Sequence, residues 1–220
     1  EGPLVHNGEH YQIPYSRGRA MGQGKPLKSI IHGSANIPIY TGVATEKGVT
    51  TAAEIADGCI LVWMDPKKSC LWSSSISKGF NRSSDKNKSM DSFDLATVIR
   101  VSMGDDLEAC RMKIKNMFAL YIGGMGSRQK NFYNDYAKKL GYAKEATLIQ
   151  DLFLSGEKDK AAQIVPDKLV DETSLVGSKK HVAAQLESWQ EACSKQKLGS
   201  LIFSAGSINE LEFISKILLK

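Results

Sequence analysis

The sequence predicts an α/β fold in which parallel strands are covered by helices, and three observations predict it. Short apolar runs alternate with longer stretches of helical spacing, four times along the chain. The apolar runs are continuous rather than alternating with polar residues, which is the pattern of strands buried on both faces. With 42% hydrophobic and 24% charged residues over 220 positions, the chain also has enough apolar material for a sizeable core. The length falls short of the roughly 250 residues of a complete (β/α)8 barrel. Four βα units make either a small open sheet or half of such a barrel, and periodicity does not choose between them.

Residues 1–35 contain Gly18, Gly22, Gly24 and Pro26 among polar neighbours, with only short strand-like pieces such as Tyr11, Gln12 and Ile13, and read as an irregular connecting segment. Ile37, Pro38, Ile39 and Tyr40 are the first strand. Residues 49–56 then carry apolar side chains at helical spacing until Asp57 and Gly58 stop the helix. The run CILVW at 59–63 is a second strand, ended by Asp65 and Pro66 and followed by a weakly helical stretch to Phe80. Residues 81–91, dense in Ser, Lys and Asp, form a loop before the third strand at 95–101. Asp105 and Asp106 stand where carboxylates favour a helix start, and Leu107, Cys110, Ile114, Met117 and Leu120 or Tyr121 supply the apolar stripe. Helices over 132–140, 144–154 and 158–165, separated by Gly141 and Gly156, make an inserted helical layer at 127–172. Ser178 caps a helix over 179–193 striped by Val182, Leu186 and Trp189. The last strand is 200–203, and Ser207 caps a final helix that ends at Leu219.

Lys and Arg number 29 against 24 Asp and Glu, a net charge of +5 spread along the chain, so nucleic acid is not an expected partner. The best apolar runs are about five residues long, against the roughly 18 of a membrane span, so no membrane association is expected. Cys59, Cys70, Cys110 and Cys193 form no CxxC pair; they are expected as reduced thiols in a cytoplasmic protein, and no metal site is signalled. The sequence begins Glu1, Gly2, Pro3 with neither Met nor a basic-then-apolar leader, so the expectation is a start that was processed or is missing.

Thr41, Gly42, Val43, Ala44, Thr45, Glu46, Lys47 and Gly48 turn from the first strand into its helix. Small residues admit a ligand closely and helix amino-terminal amides suit a phosphate, with Thr41, Thr45 and Lys47 adding hydroxyls and a charge. The plain alternative is a strand-to-helix turn, since the string is neither GxGxxG nor a Walker loop. Trp63, with Met64 and Asp65, ends the second strand, where α/β barrels keep ligand contacts. Its ring either lines the site of a flat aromatic cofactor or belongs to the core. The cluster from Tyr121 to Gly126 reads as a flexible lid, a cofactor-facing loop or a Gly-rich helix stop. Arg100 inside an apolar strand is costly unless it is paired or faces an anion, and a salt bridge with a neighbouring carboxylate is the simplest account. His6, His10 and His32 in the leader and His181 on a helix read as surface residues, a catalytic base among the leader histidines being the alternative.

Several segments, in order, resemble the luciferase-like monooxygenase family, and within it the oxidoreductases that use the deazaflavin coenzyme F-420. They are GEHYQIPY at 8–15, GKPLK at 24–28, IPIY at 37–40 with AEIADG at 53–58, ALYIGGMG at 119–126, NFYND at 131–135, VPDKLVDE at 165–172 and LVG at 175–177. The resemblance implies a TIM-type (β/α)8 barrel that binds coenzyme F-420 or FMN at the carboxyl ends of its strands. It also implies hydride transfer to, or oxygenation of, a small-molecule substrate, by an enzyme that is F-420-dependent or acts on paired donors, and a homodimer for the complete protein. On this alignment residues 37–41, 60–63, 95–101 and 201–203 are strands five to eight. The chain is then a single domain over 1–220 that carries about the last four βα units plus a helical insertion. In the family the loop after strand five approaches the cofactor's phosphate, which assigns Thr41, Gly42, Val43, Ala44 and Thr45 to the cofactor, together with Trp63 from strand six. Relatives tend to have a Gly-Ala-x-Gly-Pro turn there. Val43, Thr45 and Glu46 depart from it, and the Glu46 carboxylate works against a phosphate. The elements that hold the isoalloxazine ring are implied to lie on strands three and four, outside this chain, so no catalytic residue is carried over. A non-catalytic half barrel that binds a ligand or a partner without turnover is the competing expectation.

Overall fold

The computed structural model describes residues 3–15, 30–31, 33–34, 36–196 and 198–219. Gly18, Gly22, Gly24, Pro26, His32 and the 24–28 segment lie outside the described residues. The chain divides into two compact units, Glu1–Ile37 and Pro38–Lys220. In the first, β1 (His6–Asn7) and β2 (Gln12–Ile13) pair antiparallel. Gly8 N donates to Tyr11 O at 2.9 Å to close the turn, and Gln12 Nε2 donates to Asn7 Oδ1 at 3.0 Å.

The second unit runs β3 (Tyr40–Gly42), α1 (Glu46–Ile55), β4 (Gly58–Val62), a 3-10 segment Pro66–Trp72, α2 (Ser73–Arg82), β5 (Asp94–Met103) and α3 (Leu107–Ala119) with a π-helical turn Leu120–Gly124. It continues with α4 (Phe132–Lys139), α5 (Ala143–Leu154), α6 (Lys158–Ile164), α7 (Asp167–Thr173), β6 (Ser174–Gly177), α8 (Lys179–Gln196), β7 (Leu198–Ser204) and α9 (Ile208–Leu218). Caps fix the starts of these helices. The side chains of Thr45, Asp106 and Asn131 accept from backbone amides in the first turns of α1, α3 and α4, and Ser207 and Glu210 form a reciprocal capping box at α9. The Thr45 cap is why α1 begins at Glu46, earlier than the apolar spacing alone predicts.

The predicted parallel sheet is present, and it has one strand more than the four expected. β3 pairs β4, β4 pairs β5, and β5 pairs both β6 and β7, all parallel. Strand β6 escapes a periodicity reading because it is four residues long and follows α7 without a break. β4 covers β5 from Asp94 to Val98, while Arg100 is in register with both Ser174 of β6 and Ser204 of β7. Since β7 holds one edge of β5 along its length, β6 takes over the other edge where β4 leaves it.

Continuous apolar strands predict burial on both faces, but the two faces differ. Cys59, Leu61, Leu95, Thr97 and Ile99 point to the helix-covered face and are at most 2% exposed. On the opposite face Tyr40 and Ile202 are each 40% exposed and Ile60, Val62 and Val98 are only half-buried, while Ala96, Ser102 and Ser174 are buried. On the covered side α1 and α2 pack so closely that a Cβ on Gly79 would collide with Thr50 O and Ala53 Cβ. The helices between β5 and β6 are tied down by charge. Arg111 of α3 bridges Glu108, Asp167 and Asp171, and the buried Lys115 pairs with Asp167. Hydrogen bonding to Asp171 and Glu108 holds the Arg111 guanidinium well above its ordinary range.

Candidate functional site

The carboxyl ends of parallel strands are where an α/β sheet offers helix amino termini to a ligand. Three of the six predicted site residues, Val43, Ala44 and Thr45, form the β3–α1 turn there, and Thr41 and Gly42 are the last two residues of the strand before it. Val43 N donates to Ile60 O at 3.0 Å, so that amide is used by the sheet. Thr45 Oγ1 accepts from Gly48 N at 3.0 Å, so the hydroxyl oxygen acts as the helix cap. The first-turn amides of Glu46 and Lys47 have no intrahelical acceptor and point out of the helix end. A Cβ built on Gly42 meets nothing within 4 Å, so the space in front of the turn is open. Thr41 Oγ1 is buried without a hydrogen-bond partner.

Glu46, the carboxylate that departs from the family's turn, is not alone. Lys139 Nζ from α4 donates to Glu46 Oε1 at 2.5 Å, and this bond holds the Glu46 carboxyl below the usual carboxylate range. The same ammonium lies 4.7 Å from the Trp72 ring centroid. A cleft of about 360 Å³, lined by Ala44, Thr45, Lys47, Trp72, Phe132 and Lys139, opens beside the turn. The sequence offered no signal for Lys139 because it lies 93 residues from its partner on a helix of the insertion.

The sixth residue, Trp63, follows β4 directly and has φ 52°, left-handed for a bulky side chain, a strained state worth roughly 1–3 kcal/mol. Its ring is 5% exposed and lies against Phe118, Tyr133 and Tyr121 at centroid distances of 4.7, 5.4 and 6.1 Å, with Tyr136 stacked at 6.2 Å. Tyr136 Oη donates to Trp63 O at 3.4 Å, and burial raises the Tyr136 phenol well above its ordinary range. Of the two readings of the ring, the structure places it in the core, with the backbone of Trp63 at the strand end.

The Gly cluster is neither a lid nor a loop. It is the π-helical turn after α3, and a Cβ on Gly123 or Gly124 would collide with Phe153 of α5. The expected salt bridge of Arg100 is also absent. Its Nη1 donates to Ser204 Oγ at 2.7 Å, and among the described residues no carboxylate lies within ion-pair distance of it. His6, His10 and His181 are exposed. Cys59 is buried in the core, and desolvation, helped by Asp94, pushes its thiol up to about 12. Among the described residues no helix is long and apolar enough to cross a membrane.

A family model described as luciferase-like monooxygenase matches residues 1–196. A protein of Mycobacterium tuberculosis, named as a coenzyme F-420-dependent oxidoreductase, is 34% identical over 218 residues, covering 99% of this chain and 61% of the relative. The structure of coenzyme F-420-dependent tetrahydromethanopterin reductase from Methanopyrus kandleri matches with a TM-score of 0.70 at 19% identity, covering 99% of this chain and 58% of that one. An F-420-dependent secondary alcohol dehydrogenase, solved in complex with an F-420-acetone adduct, matches with a TM-score of 0.61 at 13% identity, covering 99% and 55%. The chain thus spans between 55% and 61% of the length of these proteins, and the two solved structures are alike to it in fold.

Proposed function

The chain belongs to the luciferase-like monooxygenase family, and from that premise we propose that it is part of an F-420- or FMN-dependent oxidoreductase acting on a small organic substrate. The observation that carries this reading is the β3–α1 turn, where open space at Gly42 lies before unpaired helix amides in a chain of this family. The residues fit a phosphate-bearing cofactor. The amides of Glu46 and Lys47 and the Lys47 ammonium would hold the anion, and the absence of a side chain at Gly42 would leave room for it. Lys139 offsets the Glu46 carboxylate that opposes this binding. Thr41 and Ala44 line the approach, and Trp63 acts through its backbone, turning the chain out of the sheet while the ring anchors the strand end. When bound, the deazaflavin or flavin supplies the group that accepts or donates the hydride.

The larger architecture belongs to the same proposal. A (β/α)8 barrel is closed by further strands, for which the half-exposed face of the sheet is the inner wall. The chain's coverage of 61% of a relative's length supports that reading. The complete protein is then a barrel that pairs as a homodimer. Titration of the protein with F-420 and with FMN, followed by tryptophan fluorescence, tests the cofactor assignment. Saturable quenching by one of them is expected, and failure to bind either contradicts it. Cofactor-dependent turnover by the chain separates an enzyme from a half barrel that only binds.

A further inference from the structure

We propose that Arg100, with Ser102, Ser174 and Ser204, forms a subsite for one oxyanion, a carboxylate or a phosphate, on the face of the sheet opposite its helices, where the carboxyl-terminal halves of β5 and β7 meet the start of β6. Whether the oxyanion belongs to a substrate or to the cofactor rests on the function proposed above, but the subsite itself does not.

Three observations converge. Arg100 is half-buried between Ile99 and Val101, which are 0% and 5% exposed, and it has no carboxylate partner among the described residues. A guanidinium carries five N–H donors, and among the described residues Arg100 donates from Nη1 to Ser204 Oγ at 2.7 Å. A charge withdrawn from water without a counter-charge is expensive. Ser174 and Ser204 are the register partners of Arg100 on the two flanking strands, and Ser102 follows two residues on along β5, so all four side chains share one face. Finally, Ser102 and Ser174 are 4% and 1% exposed, and neither hydroxyl has a hydrogen-bond partner. A buried hydroxyl left without a partner loses its hydration and gains no bond in return.

One acceptor of negative charge satisfies all of these groups. An oxyanion takes the guanidinium fork and the hydroxyl protons together, in charge-assisted bonds. Glu210, whose carboxylate reaches the end of β5, is already used. Its oxygens accept from Met103 N at 2.7 Å, Gly206 N at 2.8 Å and Ser207 N at 2.9 Å. A cation is excluded by the arginine, and a neutral ligand leaves the charge uncompensated.

Equilibrium dialysis of the protein against radiolabelled inorganic phosphate and, separately, radiolabelled acetate tests the subsite. One of the two probes is expected to bind at a single site. Arg100→Lys, which keeps the charge but loses the planar fork, weakens that binding at least tenfold, and Ser174→Ala weakens it several-fold. Thermal melts of both variants establish that they are folded. No binding of either probe to the wild type, or undiminished binding by both variants, overturns the proposal. Unlabelled F-420 added to the dialysis separates the sources. Displacement of the probe assigns the oxyanion to the cofactor, and binding of F-420 without displacement assigns it to the substrate; both outcomes support the subsite. A protein that binds the probe but not F-420 keeps the subsite and loses the cofactor reading.

Discussion

Trp63 shows how a residue at the carboxyl end of a strand, where ligand contacts are expected, can be part of the core. Its place at the end of an apolar strand is legible in the sequence, but the destination of its ring is not. The ring's partners, Phe118, Tyr121, Tyr133 and Tyr136, come from α3, the π-helical turn and α4, more than fifty residues away. Replacing it tests the packing: Trp63→Ala is expected to destabilise the protein by about 3–5 kcal/mol in urea unfolding, the range for a large buried aromatic. Arg100 was legible as an anomaly, a charge inside an apolar run, yet its partner was not. Choosing between a carboxylate and an external anion requires knowing what faces it across two neighbouring strands. Glu46 gives a second test. Its charge is partly neutralised by Lys139, so Glu46→Gln is expected to tighten F-420 or FMN binding severalfold in a fluorescence titration. Unchanged or weaker binding speaks against a phosphate at this turn.

At the scale of elements, what repeats or caps locally was readable and what is short or non-local was not. The Ser207 box and the apolar stripe of α3 follow from local residue order. β6 is a four-residue strand that exists because β5 is long enough to accept a second partner on one edge. The glycines before Gly126 are consistent with a lid, a loop or a Gly-rich helix stop; the structure has a π-helical turn that ends α3, and only the position of Phe153 explains why small residues are needed. Gly123→Ala is therefore expected to cost about 1–3 kcal/mol by overpacking, measured as a lowered urea midpoint. The charge ties of α7 predict a pH effect. Hydrogen bonding to Lys115, with the charges of Lys115 and Arg111, holds the Asp167 carboxyl below its ordinary value of 3.8, although desolvation opposes this. A carboxyl whose pKa is lowered by folding adds stability that is present above the unfolded value and lost as pH falls through the folded one. The urea midpoint of the wild type should therefore exceed that of Asp167→Asn near neutral pH, and the gap should close below about pH 4. A gap that persists unchanged in acid contradicts the assigned pairing.

For the whole molecule, the sequence supplied the class, a parallel sheet with helices, while a barrel of which these units form a part is what we propose from the family. The sheet carries one helix-covered face, while on the other Tyr40 and Ile202 stay 40% exposed; at the amino ends of the strands the Tyr40 and Ser200 hydroxyls donate to Asp94 at 2.8 and 2.6 Å. Continuous apolar strands could not distinguish a face covered by this unit's helices from one left for other strands to close. The functional claim lives at the opposite, carboxyl ends, where the open space at Gly42 meets the amino terminus of α1. Gly42→Leu tests that site, because a Cβ there meets no protein atom within 4 Å. The most direct measurement is the affinity of wild type and Gly42→Leu for F-420 and FMN by fluorescence titration, with unfolding curves of both. The account predicts saturable binding to the wild type, at least tenfold weaker binding to Gly42→Leu, about 1.4 kcal/mol or more, and superimposable unfolding curves. Equal affinity in the two proteins would contradict it.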